Sequence, residues 1–273
     1  MIQRIWLEAV GFTYPDGVRA LHDVSVMLSH DEFVGIVGAN GSGKSTLAGL
    51  LQGRLAPTEG ALRADGGRPF SPRPDTADAI VVVGADPESQ LLATSVFDEV
   101  AFALRAARLA PSEVLARTHA ALRRCDLVGL AARHPGSLSV GEQLRVLLAA
   151  AVARRPAWLV LDEVGSMLDN QRWRDMLSLV LSLHEEDQMG LVVITHRLED
   201  ILDADRVLAL AEGAVALEGT VGDVLARISS RPELRVALPL ALAVGELVRS
   251  EPIRALLTAK TQRAPVAGAS REP

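Results

Sequence analysis

The sequence predicts an α/β protein organised around a mostly parallel β-sheet, and three observations lead there. Short, near-continuous apolar runs recur at Phe33 to Val37, Ile80 to Val83, Trp158 to Leu161 and Leu191 to Ile194, the pattern of strands covered on both faces. A glycine-rich loop, Gly38 to Thr46, joins the first of these runs to a helical segment. The stretch between Val83 and Trp158 shows helical patterning and no convincing strand, as expected of a helical subdomain inserted into the sheet.

Taken in order, Met1 to Glu8 is an amphiphilic strand pattern without the apolar centre of a signal peptide. Phe33 to Val37 reads as a strand, and Thr46 to Leu51 continues as helix after the loop. Pro57 to Asp78, rich in Gly, Pro, Arg and Asp, reads as loops or edge strands. Phe97 to Arg108, Ser112 to Asp126 and Glu142 to Arg155 read as three helices within a subdomain over about residues 86–155. Pro111-Ser112 supplies a start signal there and Pro135-Gly136 a break. Val207 to Leu210 and Val215 to Leu217 predict a hairpin across Glu212-Gly213. Thr261 to Pro273 is Pro-, Ala-, Gly- and Ser-rich and reads as a disordered tail. No internal repeat is visible.

Composition narrows the function classes. The 273 residues suit one large domain or two modest ones, and with 49% hydrophobic and 23% charged residues the chain is not disordered as a whole. The longest clean apolar run, Val146 to Ala153 between Arg145 and Arg154, is far short of the roughly 20 residues a membrane span needs. A soluble, intracellular protein is expected. The single cysteine, Cys125, excludes an intrachain disulfide framework and a cysteine metal cluster; in an Ala/Leu-rich helix it reads as an ordinary buried thiol. A net charge of −6 with few aromatics argues against a nucleic-acid surface. Of the 28 basic residues only Lys44 and Lys260 are lysines, so a chain that favours arginine has kept a lysine at position 44.

That lysine sits in Gly38-Ala39-Asn40-Gly41-Ser42-Gly43-Lys44-Ser45-Thr46, which fits G-x-x-x-x-G-K-[ST] between a strand and a helix. Glycines let consecutive backbone N–H groups turn inward onto phosphate oxygens, and the helix adds its positive end. Lys44 suits the β- and γ-phosphates as a compact point charge, and Ser45 offers a hydroxyl to Mg²⁺. The loop alone implies a nucleoside triphosphate with Mg²⁺ and leaves GTPases, small-molecule kinases and ATPases open. Leu159 to Glu163 ends an apolar strand in two carboxylates, with Asp162 placed to hold the metal and Glu163 to polarise an attacking water. His196 follows the strand Leu191 to Ile194, at the strand end where open α/β sheets bind ligands.

Upstream of Asp162 lies Leu138-Ser139-Val140-Gly141-Glu142-Gln143, at the start of a helix that carries Arg145. With Asp162-Glu163, Ser166-Met167-Leu168-Asp169, His196 and Tyr14 in Phe12-Thr13-Tyr14-Pro15, the chain resembles the ATP-binding cassette (ABC) ATPases over about residues 4–225. Asp86 to Val96 with Glu99 to Phe102 resembles the energy-coupling factor branch, which includes the cobalt/nickel-type importer ATPases.

The resemblance implies a P-loop NTPase core over residues 1–225, with an antiparallel β subdomain, the inserted helical subdomain, and a helical extension over 226–260 before the 261–273 tail. It implies that Tyr14 stacks on adenine, that Gly38, Asn40, Gly41, Ser42, Gly43, Lys44, Ser45, Thr46 and Asp162 hold MgATP, and that Glu163 and His196 serve hydrolysis. Ser139 and Gly141 would complete the site of a second ABC ATPase subunit, and Glu142 and Asp169 are also implied to be nucleotide-binding. The further partners implied are a transmembrane coupling subunit and a substrate-binding membrane subunit, with the chain peripheral on the cytoplasmic face and no nucleic acid bound.

Three departures stand against that pattern. Ala85 replaces a glutamine expected before Asp86-Pro87, Val140 replaces the first glycine of the signature, and Val164-Gly165-Ser166-Met167 replaces a Pro-Thr/Thr-Ser-Gly segment. They favour a pair of unlike ATPases over a homodimer. The alternative is a nucleotide-binding structural subunit with little hydrolysis of its own. A DNA-repair or translation-type ABC protein is disfavoured by the lack of coiled-coil insertions and of a second cassette.

Overall fold

The structure, a computed structural model, describes residues 2–70 and 80–228; the expectations for residues 229–260 and for the 261–273 tail lie outside the described residues. In chain order the elements are β1 (Arg4–Thr13), β2 (Arg19–Ser29), β3 (Phe33–Gly38), α1 (Lys44–Gln52), β4 (Glu59–Ala64), β5 (Arg68–Pro69) and β6 (Ile80–Gly84). Three helices follow, α2 (Val96–Ala106), α3 (Pro111–Arg124) and α4 (Val140–Ala153). The chain then forms β7 (Trp158–Asp162), α5 (Asn170–Asp187), β8 (Gly190–Thr195), β9 (Arg206–Ala211), β10 (Ala214–Gly219) and α6 (Val221–Ile228).

Two sheets form. The larger has the order β10-β9-β3-β8-β7-β6, parallel from β9 to β6 with β10 antiparallel at one edge. Every residue of β3 and β8 is buried, which is why these segments read as unbroken apolar runs rather than alternating ones. The smaller sheet, β2-β1-β4-β5, is antiparallel throughout. Leu21, Val24, Val26 and Leu28 of β2 alternate inward and meet Ile5, Leu7 and Leu62 in one apolar core with Leu47, Leu50 and Leu51 of α1 and Val34, Ile36 and Val192 of the larger sheet. That continuous core fixes the antiparallel sheet against the strand–loop–helix unit. Trp158, at the start of β7, is fully buried, lies against Gly190 so closely that a Cβ there would come within 2.4 Å of its ring, and donates its Nε1–H to the Ile2 carbonyl at 3.2 Å.

The helical subdomain forms as expected. Ser95 caps α2 by accepting from Asp98 N at 3.0 Å, Pro111 opens α3, and Ser139 with Glu142 makes a reciprocal capping box at the start of α4. Cys125 is buried behind α3, and burial pushes its thiol up to about 12, which makes it chemically quiet.

The segment expected to be loops or edge strands needs a correction, because β4 is an inner strand between β1 and β5. Only Leu62 of β4 is buried, so its place rests on backbone pairing that leaves no apolar pattern in the sequence. Helix α6 spans the 225/226 boundary expected from the sequence. Two elements carry no sequence expectation, β2 and α5. The latter buries Trp173, Met176, Leu177, Val180 and Leu183 along one stripe of an otherwise polar helix.

Candidate functional site

The ends of β3, β7 and β8 lie side by side in the sheet, and each delivers one part of the site. After β3 the backbone turns through left-handed conformations at Gly41 (φ 81°) and Gly43 (φ 102°) before α1 begins at Lys44. A Cβ at Gly43 would lie 2.6 Å from the Ala20 carbonyl oxygen, and one at Gly38 only 2.4 Å from that of Leu210, so both positions need glycine for space, and Gly43 for its left-handed conformation as well. The loop is fastened from the β9–β10 turn, where Gly213 N donates to the Ser42 carbonyl at 3.2 Å. Lys44 is 5% exposed; its ammonium donates to the carbonyls of Gly38 at 2.8 Å and Ala39 at 3.0 Å. Asn40, Gly41 and Ser45 are exposed on the open side of the loop. Thr46, one residue on, shares a 3.0 Å hydrogen bond with the Tyr14 hydroxyl, and the Tyr14 ring stands edge-on to Phe12 at 4.9 Å.

From β7, Asp162 comes within 3.5 Å of the Ser45 hydroxyl. Burial raises its carboxyl above the usual range, opposed by the Ser45 bond and by Lys44, while Glu163 next to it pushes the same way as burial. Glu163 adopts a left-handed conformation (φ 56°), costly for a residue with a side chain and held by main-chain bonds to Ile194 O at 2.9 Å and from Ser166 N at 3.1 Å. This aims its carboxylate between two partners. Oε1 stands 3.3 Å from Lys44 Nζ and Oε2 lies 2.7 Å from Nδ1 of His196, which follows β8. Lys44, Ser45, Asp162, Glu163 and His196 therefore converge. The arrangement can hold phosphates, place a carboxylate beside the terminal one, and hold that carboxylate on a histidine.

The signature residues stand elsewhere. Ser139 Oγ donates to Glu142 Oε2 at 2.7 Å and Ser139 N donates to the same oxygen at 2.8 Å; these bonds hold the Glu142 carboxyl below its usual range. Among the described residues no hydrogen bond or ion pair ties Ser139, Gly141 or Glu142 to Lys44, Asp162 or Glu163. Gly141 instead lies beside Leu168, and Asp169 caps α5 by accepting from Gln171 N at 3.1 Å and Arg172 N at 2.9 Å. Within one chain these four residues stand apart from the Lys44 cluster, at the starts of α4 and α5, with Ser139 and Asp169 exposed and Gly141 and Glu142 half-buried.

Sequence reasoning misses the residues that hold the turn after β8. Thr195 Oγ1 donates to Asp200 Oδ2 at 2.7 Å and accepts from Arg197 N at 3.1 Å, and Asp200 is 1% exposed. Burial raises the Asp200 carboxyl, opposed by the Thr195 bond and by Arg197. The available signal was an acid set among the apolar residues Leu198 and Ile201. Gln90 folds back on the turn after β6, donating to Asp86 O at 2.7 Å and Gly84 O at 3.3 Å.

A parallel sheet whose strand ends carry a glycine loop with a buried lysine, an Asp-Glu pair and a histidine defines a P-loop nucleoside triphosphatase. The chain belongs to the ABC transporter family, which it matches over residues 21–166. It is 35% identical over 251 residues to the energy-coupling factor transporter ATP-binding protein EcfA of Enterococcus faecium, covering 90% of this chain and 88% of the relative. Its fold matches cbiO1 from Clostridium perfringens, part of the ABC transporter complex cbiONQ, with a TM-score of 0.77 at 27% identity over 92% of this chain and 100% of that one. A dimeric post-hydrolysis structure of the ATP-binding cassette MJ0796, bound to ADP and Pi, matches with a TM-score of 0.70 at 27% identity over 80% of this chain and 98% of that one. The protein is an ABC ATPase.

Proposed function

We propose that this chain energises a membrane importer of a small solute, of the vitamin or transition-metal-ion class, as one half of an ATPase pair with partly degenerate sites. The observation that carries the reading is the separation within one chain of the phosphate-binding cluster around Lys44 from the Ser139–Glu142 cap. Each half then needs the other's complement, and a head-to-tail pair supplies it. The dimeric cassette bound to ADP and Pi and the names of the EcfA and cbiONQ relatives support this direction. Among the described residues no helix is long and apolar enough to cross a membrane, so attachment would come through a transmembrane coupling subunit and a substrate-binding membrane subunit.

In this reading the loop N–H groups, the start of α1 and Lys44 bind the phosphates of ATP, Asn40 and Gly41 border them, and Tyr14 stacks on the base. Glu163 orients the attacking water and takes up its proton, while His196 holds the Glu163 carboxylate in place through Nδ1. Ser139, Gly141, Glu142 and Asp169 close over the nucleotide held by the partner. Ser45 and Asp162 fit Mg²⁺: the fold brings two hard oxygen donors together beside the loop, and Asp162 is a largely buried carboxylate whose carboxyl is raised by that burial, an environment that favours a facing cation. When bound there the ion would neutralise phosphate charge.

Ala85 and Val140 support the unlike-pair version of this reading. Ala85 offers no side-chain polar atom beside its own chain's nucleotide, and Val140, 40% exposed at the start of α4, presents a branched side chain to the partner's. The same two residues favour a second reading, a subunit that binds ATP structurally and hydrolyses little. The reconstituted complex separates the two. Glu163→Gln should leave MgATP binding intact and lower turnover on the order of 10²-fold, with uptake falling alongside. Unchanged turnover and uptake would favour the structural subunit.

A further inference from the structure

The Arg197 side chain ties the turn that carries His196 to the start of α5, and the geometry points to Arg197 as a positioning residue for hydrolysis: by latching the His196 turn to Asn170, it makes the His196–Glu163 contact depend on where the Ser166–Asp169 segment stands. Arg197 is 19% exposed in its side chain and has three acceptors near its guanidinium. Nη2 donates to Asn170 Oδ1 at 2.7 Å, across 27 residues of sequence. Nε donates to Glu199 Oε1 at 3.3 Å and faces Asp200 Oδ1 at 3.5 Å.

The inner end of this latch is rigid. Asp200 accepts from Thr195 at the end of β8, and Thr195 accepts in turn from the Arg197 backbone, which closes a ring of bonds around His196. Asp200 also lies beside the other loop, where Gly165 leaves room that a Cβ would fill at 3.2 Å from Asp200 Oδ2 and 2.9 Å from the Trp173 ring. The outer end is a single contact. Asn170 follows the Asp169 cap, and the segment before it doubles back on Glu163, where Ser166 Oγ donates to the Glu163 carbonyl at 2.7 Å. Glu163 is thus flanked by two turns, one carrying His196 and one running into α5, and Arg197–Asn170 is a side-chain hydrogen bond between them. A charge-assisted bond at 2.7 Å is strong enough to set the relative position of two loops, and small misplacements around a reacting centre have large kinetic effects. Under the pairing proposed above, the exposed Ser166–Asp169 segment faces the partner, so the latch would report the partner's position to the site.

The test cuts the outer end and leaves the buried Asp200 ring whole. Asn170→Ala in the full chain, assembled with its co-purifying subunits, should lower kcat about 10- to 100-fold, with KM and MgATP affinity within about twofold of wild type. Asn170→Asp, which keeps an oxygen for Arg197, should restore most of kcat. Arg197→Ala should lower kcat at least as far, and combining it with Asn170→Ala should add little, because both cut one link. A merely structural contact would instead lower the melting temperature and move KM with kcat, and Asn170→Asp would not rescue. The proposal is overturned if Asn170→Ala turns over at the wild-type rate, if affinity falls in step with kcat, or if the two losses multiply in the double variant.

Discussion

Asp162 is the residue at which the demands of binding and of folding pull apart. Its carboxyl is raised mainly by burial, so the folded chain holds a proton there more readily than the unfolded chain does. The sign follows: its contribution to stability is most favourable below the unfolded value of 3.8 and is lost as pH rises through the higher folded value. At neutral pH the buried charge therefore works against folding when no cation faces it. Asp162→Asn should raise the melting temperature of the nucleotide-free chain at pH 7, and the gain should shrink as pH approaches about 4. The same variant should lose Mg²⁺-dependent ATP hydrolysis. A melting temperature lowered equally at both pH values would show that the carboxylate is structural. The chemistry-bearing residues here were legible in the sequence because each follows a strand end: Lys44 after β3, Asp162 and Glu163 at and after β7, His196 after β8. Thr195, Arg197 and Asp200 were not, since what joins them is the shape of one turn and a contact to a residue far away in sequence.

At the scale of elements, the start of α4 has two roles to separate. Ser139 and Glu142 form a capping box, so Ser139→Ala should cost about 1 kcal/mol, or about 2–4 °C in melting temperature for a chain of this size. Aspartate accepts from the helix N–H groups as serine does, but its carboxylate faces Glu142 in place of a donating hydroxyl, so Ser139→Asp should recover only part of that loss. It also brings a negative charge toward the partner's phosphates, and turnover of the assembled complex should stay low. If turnover recovers with stability, the cap is the whole role of Ser139. Most elements could be read from period and punctuation: α2 to α4 from their apolar stripes and start signals, β3, β7 and β8 from runs buried on both faces. β4 escaped because an inner strand with one buried side chain is held by its backbone. Helix α5 escaped because its stripe is narrow and its opening residues, Asn170-Gln171-Arg172, are polar.

For the whole molecule, MgATP at about 100 times its Kd should stabilise the chain by roughly 2.7 kcal/mol, a shift of about 5–10 °C that Lys44→Ala should abolish. An unchanged melting curve for the wild-type chain would contradict the site. The two departures, Ala85 and Val140, belong to different sites in a head-to-tail pair, one on this chain's lysine and one on the partner's. In a complex of unlike ATPases, Ala85→Gln should raise turnover only while Lys44 is present, whereas Val140→Gly should still help in a Lys44→Ala background. Steady-state turnover of the four combinations checks this, and no response to either restoration would set the degenerate-site reading aside.

The phosphate loop is not shaped by the strand and helix it joins alone. Gly213, from the edge hairpin of the parallel sheet, donates to Ser42, and the same turn is bonded to His22 of the antiparallel sheet, whose N–H donates to the Gly213 carbonyl at 2.9 Å while Nε2 lies 2.8 Å from Glu212 O. Both sheets thus hold the cradle from outside. A nucleotide arriving there meets a loop already braced from two sides, so binding has little backbone to organise and loses little of its free energy to ordering the cradle.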